Sequence, residues 1–207
     1  MNLQALTLPG LAVGAYLLGA VPFSVLLGRF FLKKDIRAYG DHNPGAANVF
    51  RAGSFIAGMS AVLLDIAKGM PFVLLARSLE FSLVPVVCIG LCAILGHCFS
   101  LFLRFRGGKG VAVTYGVLIG LWIPAWLFPF CVAAIVGLLL WESNAWVMLL
   151  TPAVTLVFLL LTRDSALSLG FMLCIQALFT FKFASDVDGP PRLRAFWRER
   201  FLPRRQL

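Results

Sequence analysis

The sequence predicts an all-α fold: a polytopic membrane bundle of about seven transmembrane helices. Three observations predict it. Of the 207 residues, 60% are hydrophobic and only 13% are charged, with a mean hydropathy of +0.92. Soluble domains run at about 45–50% apolar and about 25% charged, so a water-soluble fold could not hide this much apolar surface. The apolar residues are also gathered into segments separated by charge. Finally, the length suits one bundle, residues 1–187, followed by a basic amphipathic tail, residues 188–207.

The first span is expected over 9–31. No Lys or Arg precedes it, and Arg29, Lys33 and Lys34 come at its end. Cleaved secretory signals have the reverse order, so the segment reads as a retained helix. Further spans are expected near 54–76, 81–102, 111–126, 128–141, 145–162 and 165–182. The fourth and fifth would each reach about 22 Å at 1.5 Å per residue, short of a hydrocarbon core of about 30 Å. They are tilted partial spans, or one long helix broken at Pro124 or Pro129, and a count of six stays open. Asp188–Pro191 should stop the last span. Beyond it, Leu193, Phe196, Trp197 and Phe201 fall at helical spacing with arginines on the remaining face, a pattern for a short helix on the inner membrane surface.

Basic residues set the orientation. With seven spans, one side collects Lys33, Lys34, Arg37, Arg51, Arg104, Arg106, Lys109, Lys182 and the tail arginines, while the other has Arg77 and Arg163. Cytoplasmic loops carry the excess, which puts the N-terminus outside and the C-terminus in the cytoplasm. The net charge of +9 then orients the chain and attracts anionic lipid. No soluble basic domain is present to bind nucleic acid. Cys88, Cys92, Cys98, Cys131 and Cys174 all lie in or beside apolar segments, and no carboxylate or His cluster completes a metal site.

Three polar stretches carry the chemistry. "DIRAYGDHNPGAANVFRAG", residues 35–53, concentrates small and amide residues: Gly45 permits close backbone approach, Asn43 and Asn48 donate and accept, and Arg51 can fork onto a phosphate. "LLDIAKGMPF", residues 63–72, places Asp65 and Lys68 inside an apolar span. A charge there costs about 2.5–3.5 kcal/mol on the insertion scale. The pair is three residues apart and can partly cancel that cost, as a structural pair or as part of a functional interior. "GHCFSLFLRFRGGKGVAVTYG", residues 96–116, sets Lys109 after Gly107–Gly108 and before Gly110, just ahead of the next helix. Consecutive glycine N–H groups, a helix N-terminus and a movable cation suit a phosphate. It is not a nucleotide loop, because the G-x-x-x-x-G-K-[ST] spacing is missing. His97 lies at the far end. No nucleophile elbow, triad or carboxylate pair is present, so any enzyme here positions and neutralises charge around an already activated donor.

In this order the stretches resemble the membrane-integral bacterial acyl-phosphate:glycerol-3-phosphate acyltransferase family. The likeness begins at "YLLGAVPFSVLLGRFF" and is strongest at "GHCFSLFLRFRGGKGVAV". The resemblance implies acyl transfer from acyl phosphate to the 1-hydroxyl of glycerol 3-phosphate, making lysophosphatidate and phosphate. It implies seven spans, a cytoplasm-facing site in the bacterial inner membrane, a monomer among membrane lipids, and no cofactor. Arg51, Lys109 and His97 would be catalytic. Asp41, Asn43, Gly45, Asn48, Asp65, Lys68, Gly107, Gly108, Gly110 and, by a weaker match, the loop residue Ser143 would bind substrate. Three departures stand out. Asp41 and His42 replace the family's usual Ser-Gly, Phe183 and Asp186 stand where its third motif has His and Asn, and Trp141 and Glu142 occupy the region of an arginine. A carboxylate at 41 beside a phosphate site is repulsive unless it is protonated or paired, with His42 or Arg37 as the partner. Two other readings of the same residues are a diverged member that binds a lipid phosphate without turnover, and an anion transporter.

Overall fold

In the computed structural model, backbone is described for residues 3–197 and side-chain surroundings for 6–197. Ten α-helices lie between residues 3 and 183: α1 Leu3–Ala20, α2 Phe23–Leu27, α3 Ala46–Arg51, α4 Phe55–Ala67, α5 Pro71–Ser78, α6 Leu83–Cys98, α7 Val111–Leu121, α8 Pro124–Leu140, α9 Asn144–Leu161 and α10 Ala166–Phe183. Five helical stretches are long and apolar enough to cross a membrane: Leu6–Leu32, Phe55–Ser78, Leu83–Leu103, Asn144–Leu161 and Ala166–Asp186. Val111–Leu121 and Pro124–Leu140 are apolar but shorter. The chain divides into two compact units, Met1–Ile123 and Pro124–Leu207.

Prolines decide where the long stretches break. The expected span 9–31 is interrupted after Ala20, at Val21–Pro22, and ends in a π-helical turn, Gly28–Leu32. The expected span 54–76 is interrupted at Lys68–Met70, with Pro71 opening α5. Proline lacks an N–H and its ring clashes with the carbonyl four residues earlier, so the next helix starts afresh. The apolar pair 111–126 and 128–141 is two helices. The break falls at Trp122, whose φ is 50°, and Ile123. Pro124 begins α8, and Pro129 sits inside that helix without ending it.

In the first unit α1 packs chiefly on α6, and α4 on α7. The α1–α6 crossing is close because it is made by glycines. A Cβ on Gly96 would strike the Tyr16 carbonyl, and one on Gly19 the Ala93 carbonyl. Such small-residue contacts are the usual means of joining helices in lipid, where apolar burial alone gives no preference for a neighbour. Arg77, at the end of α5, donates to the Gly120 and Leu121 carbonyls at 3.0 and 2.7 Å, filling acceptors left open at the C-terminus of α7.

In the second unit α9 packs against both α8 and α10. Trp126 stacks on Phe171 with centroids 5.3 Å apart, and Phe179 meets Phe130 and Phe183 edge-on at 6.5 and 5.9 Å. Within the described part of the tail, Leu193 lies outside the helix expected of it. Leu193 makes an isolated antiparallel bridge with Trp141, and helix covers Ala195–Trp197. Arg194 and Trp197 donate to the Leu138 and Leu139 carbonyls at 2.8 and 2.9 Å. Phe201 lies outside the described residues.

Gly96→Ala should therefore destabilise the protein by about 1–3 kcal/mol, since backbone rather than a movable side chain stands in the way. Gly170, with nothing within 4 Å of a built Cβ, is the control. Gly170→Ala should be neutral or slightly stabilising. Thermal unfolding of the detergent-solubilised variants reads both, and equal shifts would contradict the packing account.

Candidate functional site

The loop between the first two apolar stretches is folded rather than solvated. Ile36 and Val49 are fully buried and cluster with Val25, Ala52, Ala57 and Ala61. Burying side chains of this size contributes about 1.5–3 kcal/mol each, which fastens the loop onto α2 and α4. Asp35 opens a 3₁₀ turn, accepting from the Arg37 N–H at 3.0 Å and from its guanidinium Nε and Nη2 at 2.9 and 2.7 Å. The Arg37 hydrogen bond holds the Asp35 carboxyl down at about 2.

Two left-handed residues, Gly40 at φ 54° and His42 at φ 58°, flank Asp41 and turn it inward. A side chain is unfavourable in this region, which accounts for the glycine that the family resemblance places at position 42. His42 Nδ1 lies 2.9 Å from the Arg37 carbonyl. Asp41 Oδ1 accepts from Asn48 Nδ2 at 2.9 Å and lies 3.5 Å from an Arg51 Nη, while Oδ2 takes an ion pair from Lys109 Nζ. Arg51 also donates to Asn48 Oδ1 at 2.7 Å, and Asn48 to the Asn43 carbonyl at 2.8 Å. The partners of Asp41 are thus Lys109 and Arg51, not His42 or Arg37. The reason is local: Arg37 is held by Asp35, and the His42 ring turns to a backbone carbonyl. Burial pushes the Asp41 carboxyl up, but the Lys109 hydrogen bond and charge, with Asn48 and the Asn43 N–H, outweigh it and hold it below the ordinary carboxylate range. A depressed carboxylate contributes stability that is present above its unfolded-state value and is lost as pH falls through the folded-state value.

Gly45 is the N-cap of α3 and Gly110, at φ 88°, that of α7, so Lys109 stands at a helix start. Gly107 and Gly108 pack against the end of α6, and the Gly108 N–H is already engaged. The Gly108 N–H donates to the His97 carbonyl at 3.0 Å instead of facing an anion. A Cβ on Gly107 would meet that same carbonyl, and one on Gly108 the His97 ring. The glycines let this strand lie directly on the end of α6.

A second polar group is buried beneath. Lys68 Nζ lies 2.7 Å from Asp65 Oδ1, His97 Nδ1 is 3.8 Å from the same oxygen, and Ser24 Oγ donates to Asp65 Oδ2 at 3.1 Å. Lys68 also donates to the Val21 carbonyl at 2.8 Å, and Ser100 to the Ala20 carbonyl at 2.5 Å. Both carbonyls sit at the break before Pro22. The Asp65–Lys68 pair therefore joins the two interrupted stretches, which is a structural task for residues expected to bind substrate. They also line a small cavity of about 10 Å³ with His97, Ser100, Pro44 and Gly108.

Val21, Pro22, Pro44 and Leu103 line both this cavity and a much larger one of about 1190 Å³. Arg29, Arg37, Arg104 and Arg106 line the larger cavity beside Val25, Leu26 and Phe102. In the sequence, Arg37, Arg104 and Arg106 serve to orient the chain and Arg29 marks the end of the first span, with no site assigned to any of them. Their convergence depends on left-handed backbone at Arg104 and Phe105, φ 53° and 61°, which no glycine announces. In the second unit, Ser143 caps α9, accepting from the Trp146 N–H at 3.5 Å, and Phe183 is buried against Phe179.

Lys68→Met should destabilise by about 3–5 kcal/mol, because it strands a buried carboxylate. The double variant Asp65→Leu/Lys68→Met should recover most of that loss. Thermal or denaturant unfolding measures both, and a double variant no better than the single would contradict the pairing.

The family described as glycerol-3-phosphate acyltransferase matches residues 10–189. A glycerol-3-phosphate acyltransferase of Aromatoleum aromaticum is 50% identical over 117 residues, 56% of this chain and 58% of that relative's length. One from Pseudomonas fluorescens is 40% identical over 142 residues, covering 69% and 75%, and one from Lactococcus lactis 38% over 168 residues, covering 81% and 76%. Among solved structures, PlsY (YgiH), an integral membrane glycerol 3-phosphate acyltransferase, superposes in its glycerol 3-phosphate form with a TM-score of 0.78 at 27% identity, over 94% of this chain and 99% of that one. Its lysophosphatidic acid form gives 0.73 at 28% identity, over 87% and 89%. With several apolar helices of spanning length and a family match over most of its sequence, this multi-pass membrane chain belongs to the glycerol-3-phosphate acyltransferase family.

Proposed function

We propose that the chain transfers an acyl group from acyl phosphate to the 1-hydroxyl of glycerol 3-phosphate, releasing lysophosphatidate and inorganic phosphate. The observation that carries this reading is the convergence of Arg51 and Lys109, from loops far apart in sequence, on a single anion, the Asp41 carboxylate. Cations so placed suit the phosphate of a small acceptor. The forms in which the PlsY structures were solved support glycerol 3-phosphate as that acceptor and a lysophosphatidic acid as product.

The acceptor hydroxyl oxygen attacks the acyl carbonyl carbon, and the bond from that carbon to the phosphate oxygen breaks. The phosphate leaves with the electron pair, and the hydroxyl proton is carried away on phosphate. Lys109 and Arg51 neutralise the acceptor's phosphate and so hold its hydroxyl against the acyl carbon, where fixed positioning contributes most. The larger cavity suits the donor. Arg29, Arg104 and Arg106 suit its phosphate, Arg37 being held by Asp35, while Val25, Leu26 and Phe102 suit an acyl chain. Asn43, Gly45, Asn48 and Gly110 shape the acceptor pocket, His97 backs the glycine strand, and Ser143 is assigned to substrate binding by family likeness alone.

In this reading seven helices span the bacterial inner membrane. The two short apolar helices are tilted, the N-terminus lies outside, and the cytoplasmic C-terminal tail of residues 188–207 follows a bundle of 1–187. The protein acts as a monomer. Matches to named acyltransferases over most of the sequence favour this function over a lipid-phosphate binder without turnover or an anion transporter.

Purified protein should release inorganic phosphate from acyl phosphate only when glycerol 3-phosphate is present. Lys109→Ala should lower kcat/KM by about 10²–10³-fold, the loss typical of a removed charge-stabilising donor. Phosphate release independent of the acceptor, or unchanged in that variant, would contradict the assignment. Arg106→Ala should raise KM for acyl phosphate several-fold while leaving KM for glycerol 3-phosphate near its original value. Equal effects on both substrates would contradict separate donor and acceptor sites.

A further inference from the structure

We propose that the Asp41 carboxylate is the resident anion of the acceptor's phosphate site, and that a phosphate binds by displacing it from Lys109 and Arg51. This rests on the reading that those two cations hold the acceptor's phosphate. Asp41 engages the same groups a phosphate would use: Lys109 Nζ, an Arg51 Nη at 3.5 Å, and the Asn48 amide at 2.9 Å. Its carboxylate is only 28% exposed and Lys109 only 15%, so water screens the pair weakly.

The formal charge of the triad is +1 rather than +2. A phosphate drawn to the cations therefore meets a fixed negative charge already bonded to them. The backbone allows a way out. Asp41 sits between two left-handed residues, on a turn in which Gly40 rests against Arg51 and Asn48. Rotation of the Asp41 side chain takes its carboxylate off both cations, while Arg51 keeps its 2.7 Å contact to Asn48. A carboxylate held below its ordinary range is a poor proton acceptor, so its role is that of a counterion rather than a base. Where the family resemblance places serine, no such competitor exists. Asp41 thus weakens the site for phosphate monoesters and sets the acceptor concentration at which it fills.

The test is calorimetric titration of inorganic phosphate, and separately of glycerol 3-phosphate, into the full detergent-solubilised chain. Wild type, Asp41→Asn, Asp41→Ser and Lys109→Ala are compared. Asparagine keeps the shape and can still bond Asn48, and serine guards against a misfolded asparagine variant. Asp41→Asn and Asp41→Ser should each bind phosphate at least tenfold tighter than wild type, and KM for glycerol 3-phosphate should fall in parallel. A merely structural aspartate would give no such gain. Unchanged or weaker binding in both variants, with Lys109→Ala weakened, would overturn the Asp41 proposal and leave the site assignment standing. Undiminished binding in Lys109→Ala would overturn both.

Discussion

Broken helices inside an apolar bundle leave backbone carbonyls without partners, and no water is present in hydrocarbon to serve them. Meeting that demand organises the first unit. Pro22 and Pro71 interrupt two long apolar stretches, and the side chains that repair one break come from the other stretch and from the end of α6. Ser100 reaches the Ala20 carbonyl, and Lys68 reaches the Val21 carbonyl, which otherwise accepts only the short-range Phe23 N–H among the described residues. A lysine in that position needs a counter-charge, which Asp65 supplies from one turn earlier, itself steadied by Ser24. Hydrogen bonding at the breaks thus explains why charges lie in an apolar span at all.

The repaired breaks support the surface above them. Pro44 and Gly108 wall the small cavity that contains Asp65, Lys68 and His97, and each adjoins a residue of the acceptor site, Asn43 or Lys109. Gly107 and Gly108 bring their strand onto the end of α6 and so deliver Lys109 to Asp41. Ile36 and Val49 hold the facing loop and deliver Arg51. Rigid apolar anchors below polar loops give a site with little freedom to lose when a charged ligand binds.

Much of this was legible in the sequence. Composition and segment spacing gave the all-helical membrane character, and the Asp65–Lys68 pairing followed from a three-residue interval. Other features depend on approach in space. Pro22 and Pro71 were visible, but the hydropathy around them ran on unbroken, so the spans were drawn straight through. The spans 111–126 and 128–141 put the gap at 127, with Pro124 or Pro129 the breaks of a single long helix, but a proline opening a helix leaves the turn to the residues before it, here Trp122 and Ile123. Asp41 was matched with its neighbours in sequence, whereas its partners arrive from α3 and from the strand before α7. The arginine-lined cavity was hidden for a related reason. A basic loop at a membrane surface already has an electrostatic explanation, and only the left-handed turn at Arg104–Phe105 shows that its charges share a space.

The central claim is that Arg51 and Lys109 act on one phosphate. A double-mutant cycle reads this directly, comparing kcat/KM for glycerol 3-phosphate in Arg51→Ala, Lys109→Ala and the double variant. Two cations on one ligand should couple by about 0.5–3 kcal/mol, the double variant losing clearly less than the sum of the single losses. Strict additivity, as for distant and independent sites, would contradict the account.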